Sequence, residues 1–158
     1  RDTSSSYNTL EQVPALLMTD GSLMTYQGDD LVAGIYFNNL TCHSPYHFVV
    51  RHRNHLDIMT ADSVYLPLTS SIDLSRLENV KGAGQLADLG DGNCAMHAGD
   101  TNGDGVITVN DFNVYIGEVS LINEYVLSDF NFDGNVTVAD FNLYVPNISL
   151  IGVVEIRY

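Results

Sequence analysis

Upstream of about residue 98, apolar positions alternate with polar ones in short runs that Gly, Asp, Asn and Pro interrupt. A period of two turns one face of an extended segment inward and the other toward water, the pattern of a half-buried strand. Residues 13–18, 31–37, 47–53, 57–66 and 71–74 carry it. Asp20-Gly21 and Gly28-Asp29-Asp30 supply turn chemistry between the first of these segments. No helical period competes, so the pattern predicts an antiparallel β-sandwich.

Residues 79–99 hold five glycines, and Leu86, Leu89, Ala95 and Met96 are available to pack, so this stretch reads as an ordered connector. Past Gly99 the chain repeats itself. Residues 100–115 (DTNGDGVITVNDFNVY) align with residues 129–144 (DFNFDGNVTVADFNLY), 29 positions apart and identical at ten of sixteen. Phe112, Tyr115, Ile116 and Val119 then fall at helical spacing, as do Phe141 and Tyr144 before Pro146 ends the second helix. The organisation expected is a β-sandwich with connector over 1–98, a duplicated module over 99–149 and a terminal β-strand over 150–158. The fold class is mainly β with a small α part.

The repeat has the ligand spacing of a calcium loop. Calcium takes six to eight hard oxygen ligands from a short loop that turns sharply at its sixth position. Each copy places carboxylates at positions one, five and twelve: Asp100, Asp104 and Asp111, then Asp129, Asp133 and Asp140. Position three is an amide, Asn102 or Asn131, and position six is Gly105 or Gly134. Position seven, Val106 or Asn135, would give its carbonyl, and Thr108 or Thr137 at position nine would bind directly or through water. Ile107 and Val136 at position eight are expected to pair the two loops through a short β-bridge and apolar contact. Two Ca2+ ions follow. The Asp at position twelve, with one helix per loop, points to a structural pair and not to a sensor that opens a groove.

Charge sharpens this picture. Twenty acidic side chains face six basic ones, a formal net charge of −14, so nucleic acid and anionic lipid are poor partners. No apolar run of about 18 residues exists to insert into a membrane. One lysine, Lys81, no tryptophan and abundant polar uncharged residues suit an extracellular or cell-surface β protein. The chain begins at Arg1 without a signal-like segment and reads as a mature product whose export signal has been removed. Cys42 and Cys94 are either a disulfide or two buried free thiols.

Residues 99–148 resemble a type I dockerin, the duplicated loop–helix module of secreted bacterial proteins. That resemblance implies that both ions are needed for folding and that the helix surface binds a cohesin partner. Val109-Asn110 and Val138-Ala139 replace the Ser/Thr or basic recognition set at loop positions ten and eleven. The substitution favours burial of that face against something other than a cohesin. Residues 15–21 (ALLMTDG) and 47–60 (HFVVRHRNHLDIMT) are similar to C-terminal regions of large Bacteroidota surface proteins. There a small sandwich with an R-H-R-N-H-L strand pair precedes a dockerin-like module, which implies one rigid unit in an exported, surface or extracellular setting and does not imply an enzyme.

Outside the loops, the cluster from Arg51 to His55 is the most unusual. In one strand His52 and His55 would point to opposite faces, so no zinc set assembles from them with His43, His47 or His97. Arg51 and Arg53 would share a face and bond acidic loops or segment ends. Asp62-Ser63-Val64 resembles a bacterial O-glycosylation pattern. No nucleophile motif or set of residues fills catalytic roles together. The expected function is a calcium-stabilised structural or adhesion module, the repeating subunit of a surface filament. In that case the terminal strand returns to the sandwich or adds to a neighbour, and residues 1–8 act as a linker or docking extension. The alternatives are docking onto a cohesin-like receptor, and carbohydrate binding with Tyr26, Tyr36, Tyr46 and Tyr65 as stacking residues.

Overall fold

A computed structural model describes residues 8–68 and 70–156. The chain is mainly β with two short helices. β1 (Leu16–Leu17), β2 (Leu23–Gln27) and β3 (Asp30–Ala33) make a three-stranded meander. β4 (Pro45–Tyr46) pairs with β7 (Val64–Tyr65), and β5 (Val49–His52) with β6 (His55–Met59). β8 (Leu86–Asp88) and β9 (Cys94–Met96) form a further two-stranded sheet. Every pairing in these four small sheets is antiparallel. α1 (Val109–Glu118) and α2 (Val138–Tyr144) follow.

The alternation overstates some strands and misses others. The segment at 13–18 contracts to β1, and that at 57–66 is divided between β6 and β7 by residues 60–63. No strand forms at 71–74. Asp73 turns the chain there, its carboxylate accepting from Ser75 N at 2.9 Å and Ser75 Oγ at 2.6 Å, a local alternative to a ladder. β8 and β9 lie within the connector, where the Gly90-Asp91-Gly92-Asn93 run turns between two short apolar stretches.

β6 is the spine of the molecule. Leu56 joins Ala98, Ile107, Tyr115, Phe130, Val136 and Tyr144 in the largest apolar cluster. Ile58 packs with Val80 and Leu86, and Met59 with Val153 and Ile156. A four-residue buried run, Leu56 to Met59, thus touches the repeat module, the connector and the C-terminal segment in turn. The last of these corrects an expectation. Residues 150–156 do not form a strand; Leu150 and Ile151 join the first loop, and the chain then turns, with Ile156 N donating to Val153 O. Gly152 ends the extended run, and Met59 supplies the apolar surface that Val153 and Ile156 cover. Arg157 and Tyr158, like residues 1–7 of the expected linker or docking extension at 1–8, lie outside the described residues. Cys42 and Cys94 are free thiols, Cys42 exposed and Cys94 half-buried.

Candidate metal centre

The two loops fold by the same set of hydrogen bonds. Asp100 at position one accepts from Asp104 N at 3.1 Å and Gly105 N at 3.0 Å. Asp129 accepts from Asp133 N and Gly134 N at the same two distances. Asn102 Oδ1 and Asn131 Oδ1 each accept from the position-five N–H at 2.9 Å. The position-five carboxylates accept from position seven, Val106 N at 3.0 Å and Asn135 N at 2.8 Å. Gly105 and Gly134 have φ of 80° and 83°, where a Cβ is strained.

Position twelve explains why the loop ends in Asp. Asp111 reaches back across its loop, Oδ1 to Thr101 N at 2.9 Å and Oδ2 to Thr108 N at 2.8 Å. Asp140 does the same with Phe130 N and Thr137 N. Each Asp is also the third residue of its helix, and with Thr108 or Thr137 as N-cap it completes a capping box. The threonine hydroxyls accept from Asn110 N and Ala139 N, so position nine is engaged in starting the helix. Loop closure and helix initiation therefore share the same two side chains.

Electrostatically the loops are unbalanced. Asp100, Asp111, Asp129 and Asp140 are all buried. The ion pairs Arg51–Asp57, Arg76–Asp73 and Lys81–Glu155 reach none of them. Burial holds the Asp100 carboxyl above its ordinary range, and Asp111 and Asp104 push the same way against the Gly105 N–H. In the second loop the exposed Asp133 carboxyl is lowered by the Asn131 amide and Asn135 N–H. Among the described residues no group of three or more His, Cys, Asp or Glu side chains is arranged as a ready-made metal nest. The donors are instead mixed, carboxylates alternating with amide and carbonyl oxygens, and their carboxylates rest on backbone N–H groups. An all-oxygen set of this kind fits calcium, not a metal that prefers nitrogen or sulfur.

At position eight Ile107 and Val136 share one buried apolar cluster, as expected, but the β-bridges of the two loops run elsewhere. Ile107 N donates to Leu150 O and accepts through its carbonyl from Ser149 N, at 3.0 and 2.9 Å. Val136 makes the equivalent bonds to Leu121 and Ser120, both at 2.9 Å. Each loop edge thus takes the segment that leaves the other copy's helix. Tyr115 Oη donates to Thr137 O, and Tyr144 Oη to Thr108 O, which completes a local two-fold arrangement. The sequence carried an overlooked signal for it: Ser-Leu-Ile stands at both 120–122 and 149–151, again 29 apart. Ser120 and Ser149 share left-handed φ values of 73° and 75°.

The hairpin of β5 and β6 meets this module at its turn. His52 and His55 sit opposite one another across the two strands, with Arg53-Asn54 as the turn between them. The alternation argument that separated the two histidines holds only along one strand, and here they lie on two. Their Nδ1 atoms are 3.2 Å apart, and both rings lie against Phe132, with centroids 5.2 and 5.6 Å away. Burial, then His52, Arg53 and His97, depress His55 to about 3; burial and Arg53 also lower His52. Arg53 does not share a role with Arg51: it donates to Val126 O and lies 3.8 Å over the Tyr125 ring, while Arg51 pairs with Asp57 at 3.4 Å. Burial raises Asp57 to about 6 against the pull of Arg51.

The helix face expected to be buried is open. Val109 and Val138 are 66% and 68% exposed, and Asn113 and Asn142 beside them are also exposed. The tyrosines separate: Tyr26 and Tyr36 line an open cleft of about 450 Å³ with Glu11, Gln12, Gln27 and Asn38, while Tyr46 and Tyr65 belong to the β4–β7 pair. No helix among the described residues is long and apolar enough to cross a membrane. No protein-family model, curated protein or solved structure matches the chain.

Proposed function

We propose that the chain is a calcium-stabilised, non-enzymatic structural module of an extracellular or cell-surface protein. Two ions lock a dockerin-like loop–helix pair onto a sandwich-like N-terminal scaffold. The observation that carries this reading is the burial of four loop carboxylates, two per loop, whose hydrogen bonds among the described residues come from backbone N–H groups and threonine hydroxyls. The first ion would be held by Asp100, Asn102, Asp104, Val106, Thr108 and Asp111, and the second by Asp129, Asn131, Asp133, Asn135, Thr137 and Asp140. Calcium supplies charge neutralisation and rigidity here, and its binding free energy adds to that of folding. Two sites, each at about 100 times its Kd, would add about 5 kcal/mol, or about 10–20 °C in Tm. A melting temperature that does not differ between millimolar calcium and excess chelator sinks this reading.

The exposed Val109 and Val138 support a second element, association with a protein through the paired helix N-termini. A cohesin-like receptor suits this face, which the sandwich does not cover among the described residues. Assembly of the chain into a filament is the competing arrangement. Light scattering after size exclusion separates them. Large assemblies that chelator disperses support the filament, and a monomer in calcium supports docking on a receptor.

A further inference from the structure

The Arg53-Asn54 turn touches the first residue of one loop and the approach to the other. Asn54 is fully buried, at 0% exposure. Its side-chain amide donates to Leu127 O at 2.7 Å and to Asp129 O at 3.0 Å, the latter being position one of the second loop. Its backbone carbonyl accepts from Gly99 N at 2.9 Å, immediately before position one of the first loop. Arg53 adds a bond to Val126 O and its guanidinium lies over the Tyr125 and Phe132 rings, 3.8 and 5.5 Å from their centroids.

Phe132 is the informative departure from symmetry. Loop position four is left-handed in both copies, with φ of 68° at Gly103 and 62° at Phe132. Glycine takes this conformation freely, whereas a phenylalanine there is strained and persists only where its surroundings hold it. The surroundings are the hairpin: His52, His55 and Arg53 all lie against the ring. The first loop, with Gly103, has no such contact to maintain.

We infer that the Arg53-Asn54 turn is a positioning clamp that presets both calcium loops, so that a hairpin distant in sequence sets the affinity of ligands it does not itself contribute. This inference rests on the calcium reading above. Partners that orient metal ligands without touching the ion typically change affinity by about 10–100-fold when removed. The two clamp residues differ in reach. Asn54 acts on the start of both loops; Arg53 acts on the second loop alone.

Calorimetric calcium titration of the full chain tests this. Asn54→Ala is expected to weaken both sites by about 10-fold or more. Arg53→Ala should weaken one site selectively, and Arg53→Lys, which keeps a cation over Tyr125, should recover part of that loss. Leu86→Ala, in the separate cluster with Ile58 and Val80, reports on general destabilisation. The clamp is overturned if Asn54→Ala and Arg53→Ala bind both ions within two-fold of the unaltered chain. It is equally overturned if Leu86→Ala shifts the two sites by as much as they do. If Asn54→Ala does not fold in calcium, the selective loss in Arg53→Ala decides. A chain that binds no calcium before any substitution overturns the calcium reading and the clamp together, an outcome distinct from intact binding that the variants leave unchanged.

Discussion

At the scale of single residues, two neighbouring glycines separate backbone strain from steric exclusion. Gly99 has φ of 127°, and an added Cβ would lie 2.9 Å from Tyr144 Cδ2 and 3.1 Å from Ile107 Cγ2. Gly103 is also left-handed, but nothing stands within 4 Å of its Cβ position. Gly103→Ala should therefore cost about 1 kcal/mol, from backbone conformation alone. Gly99→Ala should cost more, about 2–4 kcal/mol, because Tyr144 and Ile107 belong to the main core cluster and must shift. Chemical denaturation of the two variants in saturating calcium checks the order. Equal losses would show that the approach to Tyr144 is unimportant. The sequence made the carboxylate positions legible because their spacing carries the whole pattern. It hid Asn54, whose importance comes from three bonds to segments more than forty residues away.

Among elements, the paired repeats and their helices were legible and the sheets only coarsely. Periodicity reports local geometry, so it found α1 and α2 through Phe112, Tyr115, Phe141 and Tyr144. It could not report that His52 and His55 stand on two strands, since a two-residue turn looks like a continuation of the alternation. That pairing has a consequence in pH. His55 is depressed to about 3 from an ordinary 6.5, so the unfolded chain binds its proton first as pH falls. Its contribution to stability is complete above about pH 6.5 and is lost as pH drops toward 3. Asp57, raised to about 6 from 3.8, acts oppositely: its contribution is complete below 3.8 and lost as pH rises through 6. His55→Asn should remove the first component only, so that stability changes from pH 6.5 to 5 more favourably than in the unaltered chain, by on the order of 2 kcal/mol. Urea unfolding of the two proteins at pH 5, 6 and 7 measures it. Parallel pH profiles would mean that His55 is not the group taking up the proton.

For the molecule as a whole, the domain boundaries at 98 and 149 fall where the sequence changes character, yet the structure is continuous across both. β6 packs against the connector, the repeat module and the C-terminal segment, and the second boundary cuts between Ser149 and Leu150, two residues that bond to the same Ile107. Such a ladder cannot be found by alternation, because its partners belong to different copies of a repeat. It also means that neither copy is complete alone. The segment at 120–122 serves the second loop, and the segment at 149–151 serves the first. Between the copies the chain passes through Tyr125, 84% exposed and accessible to a protease. A single cut there should leave two fragments that co-elute in calcium and part in chelator, and fragments that separate in calcium would refute the exchange. Two links of a chain closed through each other behave this way: severing the thread between them releases neither. A surface protein built so would go on bearing load across a broken peptide bond for as long as calcium surrounds it.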